Sequence, residues 1–321
     1  MSSTLKKTLK TILPIALGIF LVWYAYNSTT QEDREQIIYY IKQANLFWVG
    51  LSLVIGVLTH ISRAARWNLL LKPMGYSPKL SSSILIVLLS YFANLLFFRS
   101  GEVLRATALT TYEDVPFEKG FGTIVTERVI DLLMLLLIIT IAFFLQTDII
   151  LGFLQEKGVN INLILLMIGL GLVAVFVFVR YIKKSTSRIA IKIKNFVNGL
   201  LDGLLSIFKM KNKWLFVFHT LFIWIGYFAM FWVIKYTVAE TVDLTLSQTL
   251  VAFVAGVFGM MATNGGLGVY PIIVSKTLSV FNISAVAGDA FGWIMWISQT
   301  LMVVVFGAIS FLILPLLKRN K

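Results

Sequence analysis

Residues 247–281 read SQTLVAFVAGVFGMMATNGGLGVYPIIVSKTLSVF. The stretch opens with an apolar run over 247–262, is interrupted by Thr263-Asn264-Gly265-Gly266-Leu267-Gly268, and resumes as a short apolar piece over 269–281. Such a glycine cluster breaks a helix, because glycine loses the most backbone freedom on ordering. Neither piece has the ~20 residues that a ~30 Å hydrocarbon core requires. A second stretch, 82–111, has the same form. Its first part, 82–98, makes about 25 Å of helix, and 101–111 adds about 16 Å. Arg99-Ser100-Gly101 lies between them. Both stretches are therefore expected to enter a membrane and turn back.

The rest of the chain supplies the membrane context. It is 58% hydrophobic and 13% charged, with a mean hydropathy of +0.87, too apolar for a soluble domain of this length to cover its own surface. Uninterrupted spans are read at 9–26, 46–71, 122–145, 161–179, 214–236 and 287–316. The runs are continuous rather than alternating, which selects helices over a barrel. The expected fold class is all-α: a polytopic integral membrane protein with six full transmembrane helices and two re-entrant broken-helix hairpins. The run at 9–26 is longer than the apolar region of a signal peptide, so it is read as an uncleaved anchor. The chain has no cysteine, which rules out disulfides and thiolate metal sites. Its net charge of +13 sits between spans, so no nucleic-acid partner is expected.

Charge placement sets the orientation. Residues 180–213 carry nine Lys and Arg against Asp202 alone, and both termini are basic. With both interrupted stretches re-entrant, all of these fall on the cytoplasmic side and the acidic loops 31–35, 148–156 and 240–243 fall outside. The hairpins then enter from opposite faces, the topology of an inverted repeat. The whole chain, 1–321, is read as one transmembrane domain. Residues 1–45 form the anchor helix and outer loop, 46–145 a first half containing hairpin 82–111, and 214–316 a second half containing hairpin 247–281. Ile189, Ile193, Phe196, Leu200, Leu204 and Ile207 recur at helical spacing. An amphipathic helix on the inner leaflet and a plain cytoplasmic linker helix both fit this spacing. The expected location is the inner cell membrane, multi-pass, with both termini cytoplasmic.

Charge inside hydrocarbon costs a few kcal/mol per group, so polar residues within spans are the candidates for function. His60, Arg63 and Arg66 share a span, the arginines at i and i+3 on one face. Either they snorkel to the nearby helix end, or their forked guanidinium groups bind phosphate. At the first break stand Asn94, Arg99, Ser100, Gly101, Glu102 and Arg105, where a helix N-terminus would turn its amides toward an anion. Glu102 and Arg105 share a face, and an internal ion pair is the competing reading. Glu127, Arg128 and Asp131 could relay protons or grip a cationic group, or pair with Arg99, Arg105 or Arg63 to hold the bundle together. At the second break, Asn264, Gly265, Gly266, Gly268 and Tyr270 form a glycine-lined tip, and Pro271 fits the first turn of the helix that follows. Gly256 and Gly259 suit a close helix contact.

No nucleotide loop, H-E-x-x-H or G-x-S-x-G is present, and the two histidines are far apart in the sequence. No metal, no cofactor and no enzymatic activity are expected.

Together, the paired arginines ahead of Trp67 and Leu70, Asn94…Arg99-Ser100-Gly101-Glu102…Arg105, Glu127-Arg128…Asp131 and Asn264-Gly265-Gly266-Leu267-Gly268 resemble the flippase-like membrane region of the lysylphosphatidylglycerol synthase family. The resemblance covers nearly the whole chain. It implies movement of phospholipid between leaflets, aminoacylated phospholipid included. In that family a separate soluble domain attaches the amino acid; here only five residues follow Leu316, so a synthase domain is not expected. The motif does not imply the substrate of a free-standing member; the expected partners are the membrane itself and an anionic or aminoacylated phospholipid or a polyprenyl-phosphate lipid. The competing readings are an intramembrane lipid-modifying enzyme, with Glu127 or Asp131 as base, and a non-catalytic partner of a cell-envelope machine. The sequence is silent on oligomeric state.

Overall fold

The computed structural model describes residues 16, 19–24, 26–27, 29–97, 100–156, 158, 161–185, 187–188, 190–191, 194 and 210–319. Every regular element among these is a helix. They are labelled α1 (Gln31–Gln43), α2 (Leu46–Leu71), α3 (Leu80–Leu96), α4 (Gly101–Glu113), α5 (Phe117–Leu145), α6 (Thr147–Glu156), α7 (Ile161–Lys184), α8 (Lys213–Ile234), α9 (Leu246–Ala262), α10 (Val269–Ser279) and α11 (Ala285–Arg319). Four helical stretches are long and apolar enough to cross a bilayer: Leu46–Met74, Phe117–Leu145, Lys213–Thr237 and Ala285–Leu317. They coincide with four of the expected spans, and α7 occupies the place of a fifth. The expected span at 9–26 and the amphipathic segment within 180–213 fall largely outside the described residues, as do both ends of the chain. Leu132, Leu133, Leu136, Leu137 and Phe144 of α5 are exposed, an outward apolar surface that suits acyl chains rather than water. The chain is a multi-pass membrane protein.

The chain falls into two compact units, one built from Met1–Ile124 and Trp214–Lys321, the other from Val125–Lys213. The boundary runs through α5, so this division differs from the halves drawn on the sequence.

In the first unit, both interrupted stretches are closed helical hairpins. α3 has 17 residues and α4 has 13, and the two pack on each other. The backbone N–H of Lys79 donates to Glu113 Oε2 at 3.3 Å, which joins the entry of α3 to the exit of α4. α4 stops where Asp114 turns left-handed at φ 56°, just before Pro116. The second hairpin starts with a capping box, Thr245 bonding the Gln248 amide while the Gln248 side chain bonds back. α9 then runs 17 residues and α10 runs 11. Its base is closed by Glu240, whose Oε2 accepts from the backbone N–H of Ser284 at 3.3 Å.

The second tip requires its glycines. Gly265, Gly266 and Gly268 have φ of 59°, 76° and 73°, the left-handed region that residues with a Cβ avoid. A Cβ on Gly265 would also run into Leu95 Cδ2. The tip of one hairpin therefore rests on the end of α3 in the other, and α3 contacts the Asn264–Gly266 turn.

α11 carries both hairpins. On its first half, a Cβ at Gly288 would lie 3.0 Å from Ser275 Oγ and one at Gly292 would lie 2.7 Å from Pro271 Cα, so this pair of glycines lets α10 approach to backbone contact. Trp296, one turn further, donates its indole N–H to the carbonyl of Gly265 at 2.8 Å. On its second half, Gly307 faces Phe92 of α3. Between the first hairpin and α2 lies the buried core of Trp67, Leu71, Ile86, Val87, Ala106 and Leu109. Within the second hairpin, Gly256 lies under the Tyr270 ring and Gly259 under its Cα, both at 3.0 Å from a notional Cβ.

In the second unit, α6 and α7 contact each other, and Arg128 on α5 lies 4.0 Å from Asp131 one turn away.

Candidate functional site

α2 and α8 run antiparallel, and their contacts set the register. Ser52 Oγ donates to the Met230 carbonyl at 3.0 Å, and Gln299 of α11 donates to the same hydroxyl at 3.2 Å. A Cβ on Gly226 would meet Thr59 Oγ1. Ser62 Oγ lies 2.8 Å from His219 Nδ1.

Against this frame the arginines of α2 are buried, Arg63 at 3% exposure and Arg66 at 0%. Neither snorkels to the helix end. Arg63 Nε donates to the Tyr227 hydroxyl at 3.3 Å, with its guanidinium 5.9 Å from the centre of that ring. Arg66 donates to Thr220 Oγ1 at 3.4 Å and lies 5.8 Å from the Phe216 ring. Thr220 and Tyr227 are seven residues apart on α8, on one face, so the arginines are laid along that face. The Tyr227 hydroxyl also meets the Tyr91 hydroxyl of α3 at 3.1 Å. His60, one turn before Arg63, lies against the Tyr91 ring with centroids 4.6 Å apart.

The third buried arginine comes from the first hairpin. Arg105 of α4 is 3% exposed, and its guanidinium lies 3.9 Å from the centre of the Trp67 ring on α2. Trp67 is held in turn by its indole N–H, which donates to Thr123 Oγ1 at 2.9 Å. α2 thus presents Arg63, Arg66 and the ring that seats Arg105 over about one turn. A guanidinium over an indole face is a favourable cation–π arrangement, worth about 2 kcal/mol when desolvated.

The first break differs from the expectation that its leading amide would face a ligand. The Gly101 N–H is bonded to Asn94 Oδ1 at 2.7 Å, so Asn94 caps α4 from across the break. Ser100, the obvious cap by position, instead donates to the carbonyls of Ala93 at 3.1 Å and Phe97 at 3.0 Å. Gly101 is forced by space, because a Cβ there would strike the Ser90 carbonyl and the Asn94 side chain. Glu102 is half-buried in the first turn of α4. Arg99 lies outside the described residues.

At the second break Asn264 is 5% exposed, and both its Oδ1 and its Nδ2 lack a hydrogen-bond partner among the described residues. Tyr270 is buried at 5% exposure and packs in the α9–α10 contact. In the second unit Glu127 and Asp131 are buried, at 1% and 8% exposure. Arg128 is beside Asp131. Among the described residues no cluster of three or more His, Cys, Asp or Glu could hold a metal.

Of the candidate positions, the structure brings Arg63, Arg66 and Arg105 together around Trp67 and α8. It joins Asn94 to Gly101, and it sets Gly265 on the end of α3. The sequence reading did not single out Tyr91, Thr220, Tyr227 or Trp224 on these helices. A tyrosine or tryptophan in an apolar span gives no signal of its own. The one available clue was the i, i+4, i+7 spacing of 220, 224 and 227.

No solved structure matches this chain. A UPF0104 membrane protein of Methanocaldococcus jannaschii is 25% identical over 310 residues, covering 87% of this chain and 88% of the relative. The glycosyltransferase AglD of Haloferax volcanii is 29% identical over 102 residues, 32% of this chain and 16% of that protein. The profile of the lysylphosphatidylglycerol synthase TM region matches residues 11–313. This buried-arginine helical bundle therefore belongs to the lysylphosphatidylglycerol synthase TM-region family.

Proposed function

We propose that this protein is a flippase-like lipid transporter rather than an enzyme. In this reading it moves a phospholipid, aminoacylated phospholipid included, or a polyprenyl-phosphate lipid between the leaflets of the inner cell membrane. The carrying observation is the burial of Arg63 and Arg66 on one turn of α2, with Arg105 of α4 buried on the ring of Trp67 from that same turn. Arginine within a membrane bundle marks function by default, and a phosphate passing between leaflets needs forked donors along its path. Glu127 and Asp131, buried in the second unit, would take up an amino group.

The topology that goes with this reading has six crossings and two re-entrant hairpins, with both termini cytoplasmic. Each leading arm, α3 and α9, has 17 residues, about 25 Å and short of a ~30 Å core. The contact of Leu95 with Gly265 supports tips that meet near the midplane, as in transporters built from broken helices. The relatives' names connect this membrane region to lysylphosphatidylglycerol synthesis and, over a short stretch, to a glycosyltransferase. Both names are compatible with a module that carries a modified lipid across the bilayer.

The test is reconstitution in liposomes with headgroup-labelled phospholipid. Translocation should fall at least tenfold in Arg63→Ala and Arg105→Ala proteins that remain monodisperse in detergent. Equal translocation by wild type and both variants would reject the mechanism.

A further inference from the structure

Two buried polar atoms in the first unit stand out beside the arginines. Trp224 Nε1 and His60 Nδ1 are shielded from solvent and have no hydrogen-bond partner among the described residues. Buried indole N–H groups ordinarily find an acceptor, and Trp67 and Trp296 do so, with Thr123 Oγ1 at 2.9 Å and the Gly265 carbonyl at 2.8 Å. Trp224 does not.

Its position gives the reason. On α8, residues 220, 224 and 227 fall at i, i+4 and i+7, one face of the helix. Thr220 receives Arg66, Tyr227 receives Arg63, and Trp224 lies between these two positions with its ring edge-on to Tyr227 at 6.2 Å. The pairs Thr59 with Gly226 and Ser62 with His219 bracket the same level of α2, which brings His60 to the height of Trp224. The side of α8 that receives Arg66 and Arg63 thus also carries one unspent indole N–H, and His60, one turn before Arg63 and against Tyr91, adds one unspent imidazole nitrogen. The indole can only donate, and His60 donates in its Nδ1-protonated tautomer. Donors of this kind beside two forked guanidinium groups match the oxygens of a tetrahedral oxyanion.

We infer that Trp224 and His60 are direct ligands of the lipid phosphate, completing with Arg63 and Arg66 a phosphate site between α2 and α8. The inference rests on the transport reading and identifies its phosphate-binding residues. Tyr91 and Tyr227, linked hydroxyl to hydroxyl at 3.1 Å, form the wall that orients Arg63 and His60. In the lipid-free protein the two nitrogens pay a desolvation penalty that the phosphate oxygens relieve. Removing either N–H should therefore weaken the phosphate-bound state.

The full-length chain in detergent is titrated with dihexanoylphosphatidylglycerol and with dihexanoylglycerol, which lacks the phosphate. Wild type should bind the phospholipid at least tenfold more tightly. Trp224→Phe should lose about tenfold in phospholipid affinity, as expected for one hydrogen bond to a charged group. It should keep its diacylglycerol affinity. His60→Phe should behave in the same way. Phospholipid affinity unchanged in Trp224→Phe while Arg63→Ala loses it would overturn the assignment and leave the transport reading standing. Equal loss of affinity for both probes in Trp224→Phe would overturn it as well, since the substitution would then disturb lipid binding as a whole rather than a bond to phosphate. Equal binding of the two probes by wild type would remove the phosphate site and the transport reading with it.

Discussion

Leu95, near the end of α3, lies directly against Gly265 at the tip of the second hairpin, where a Cβ would collide with the leucine Cδ2. This contact joins two hairpins whose bases are closed far apart in the sequence, by Lys79 with Glu113 and by Glu240 with Ser284. Gly265→Ala adds both a left-handed penalty of about 1–2 kcal/mol and this collision. It should destabilise the protein more than Leu95→Ala does. The double variant Gly265→Ala, Leu95→Ala should recover the collision part and leave the backbone part. Thermal unfolding in detergent across this cycle measures the coupling; strictly additive effects would mean that the tips do not touch.

Asn94 caps α4 across the first break through its 2.7 Å bond to the Gly101 N–H. Asn94→Ala leaves that amide without its acceptor and should cost about 1–2 kcal/mol. Asn94→Asp keeps the acceptor and should retain most of the stability. Ser100→Ala, by contrast, should cost less, because its hydroxyl bonds only carbonyls at the end of α3. A larger loss in Ser100→Ala than in Asn94→Ala would contradict this account.

Arg105 and Trp67 test whether the arginine cluster is held by stacking. Trp67→Leu removes the ring under the 3.9 Å cation–π contact and the indole bond to Thr123, and should cost about 3 kcal/mol or more, as for a large core aromatic. Thr123→Val removes only the indole's acceptor and should cost about 1 kcal/mol. Arg105→Lys keeps the charge and should be intermediate, because an ammonium cannot present a planar face to the indole.

The parts of this architecture that were legible in the sequence are those where one residue type has a single physical use. Gly265, Gly266 and Gly268 announced a break because left-handed backbone suits glycine. Arg63, Arg66 and Arg105 stood out as candidates because charge in hydrocarbon is costly, and the structure buries all three. Asn94 was legible as a polar residue but not as a cap, since Ser100 stood in the expected position and the true acceptor is seven residues upstream of the amide it serves. Tyr91 and Tyr227 were not legible as a pair. Their hydroxyls meet across 136 residues of sequence, and a tyrosine in an apolar span looks the same whether it faces lipid, core or a partner. The division between the two units falls within α5, an unbroken helix of 29 residues, where composition gives no boundary signal.

Tyr40 provides a pH test outside the membrane spans. Its hydroxyl donates to Glu240 Oε1 at 3.3 Å, and burial first, then the Glu240 carboxylate, raise its pKa above 10. A raised value means that the neutral phenol is favoured in the folded state. This contribution to stability is complete below the unfolded pKa of about 10 and is lost as pH rises through the folded value. The difference in Tm between wild type and Tyr40→Phe should therefore be constant from pH 7 to 9 and shrink above pH 10. A difference that grows with pH would reverse the sign and remove the Glu240 contact as its cause.

The absence of cysteine makes the membrane placement of the hairpins directly testable with single substitutions. Lys79 and Asp114 flank the first hairpin, and Thr245 and Ser284 flank the second. The Lys79 amide is bonded to Glu113, the neighbour of Asp114, and the Ser284 amide to Glu240, so each hairpin returns to its own starting level. With leading arms of about 25 Å in a ~30 Å core and tips in contact through Leu95 and Gly265, the two bases should lie at opposite faces. Lys79→Cys and Asp114→Cys should both react with a membrane-impermeant maleimide only from the cytoplasmic side, the side assigned by the basic segments. Thr245→Cys and Ser284→Cys should both react only from the other. If the two positions flanking one hairpin label from different sides, that hairpin crosses the bilayer, and its tip cannot be the midplane partner of the other.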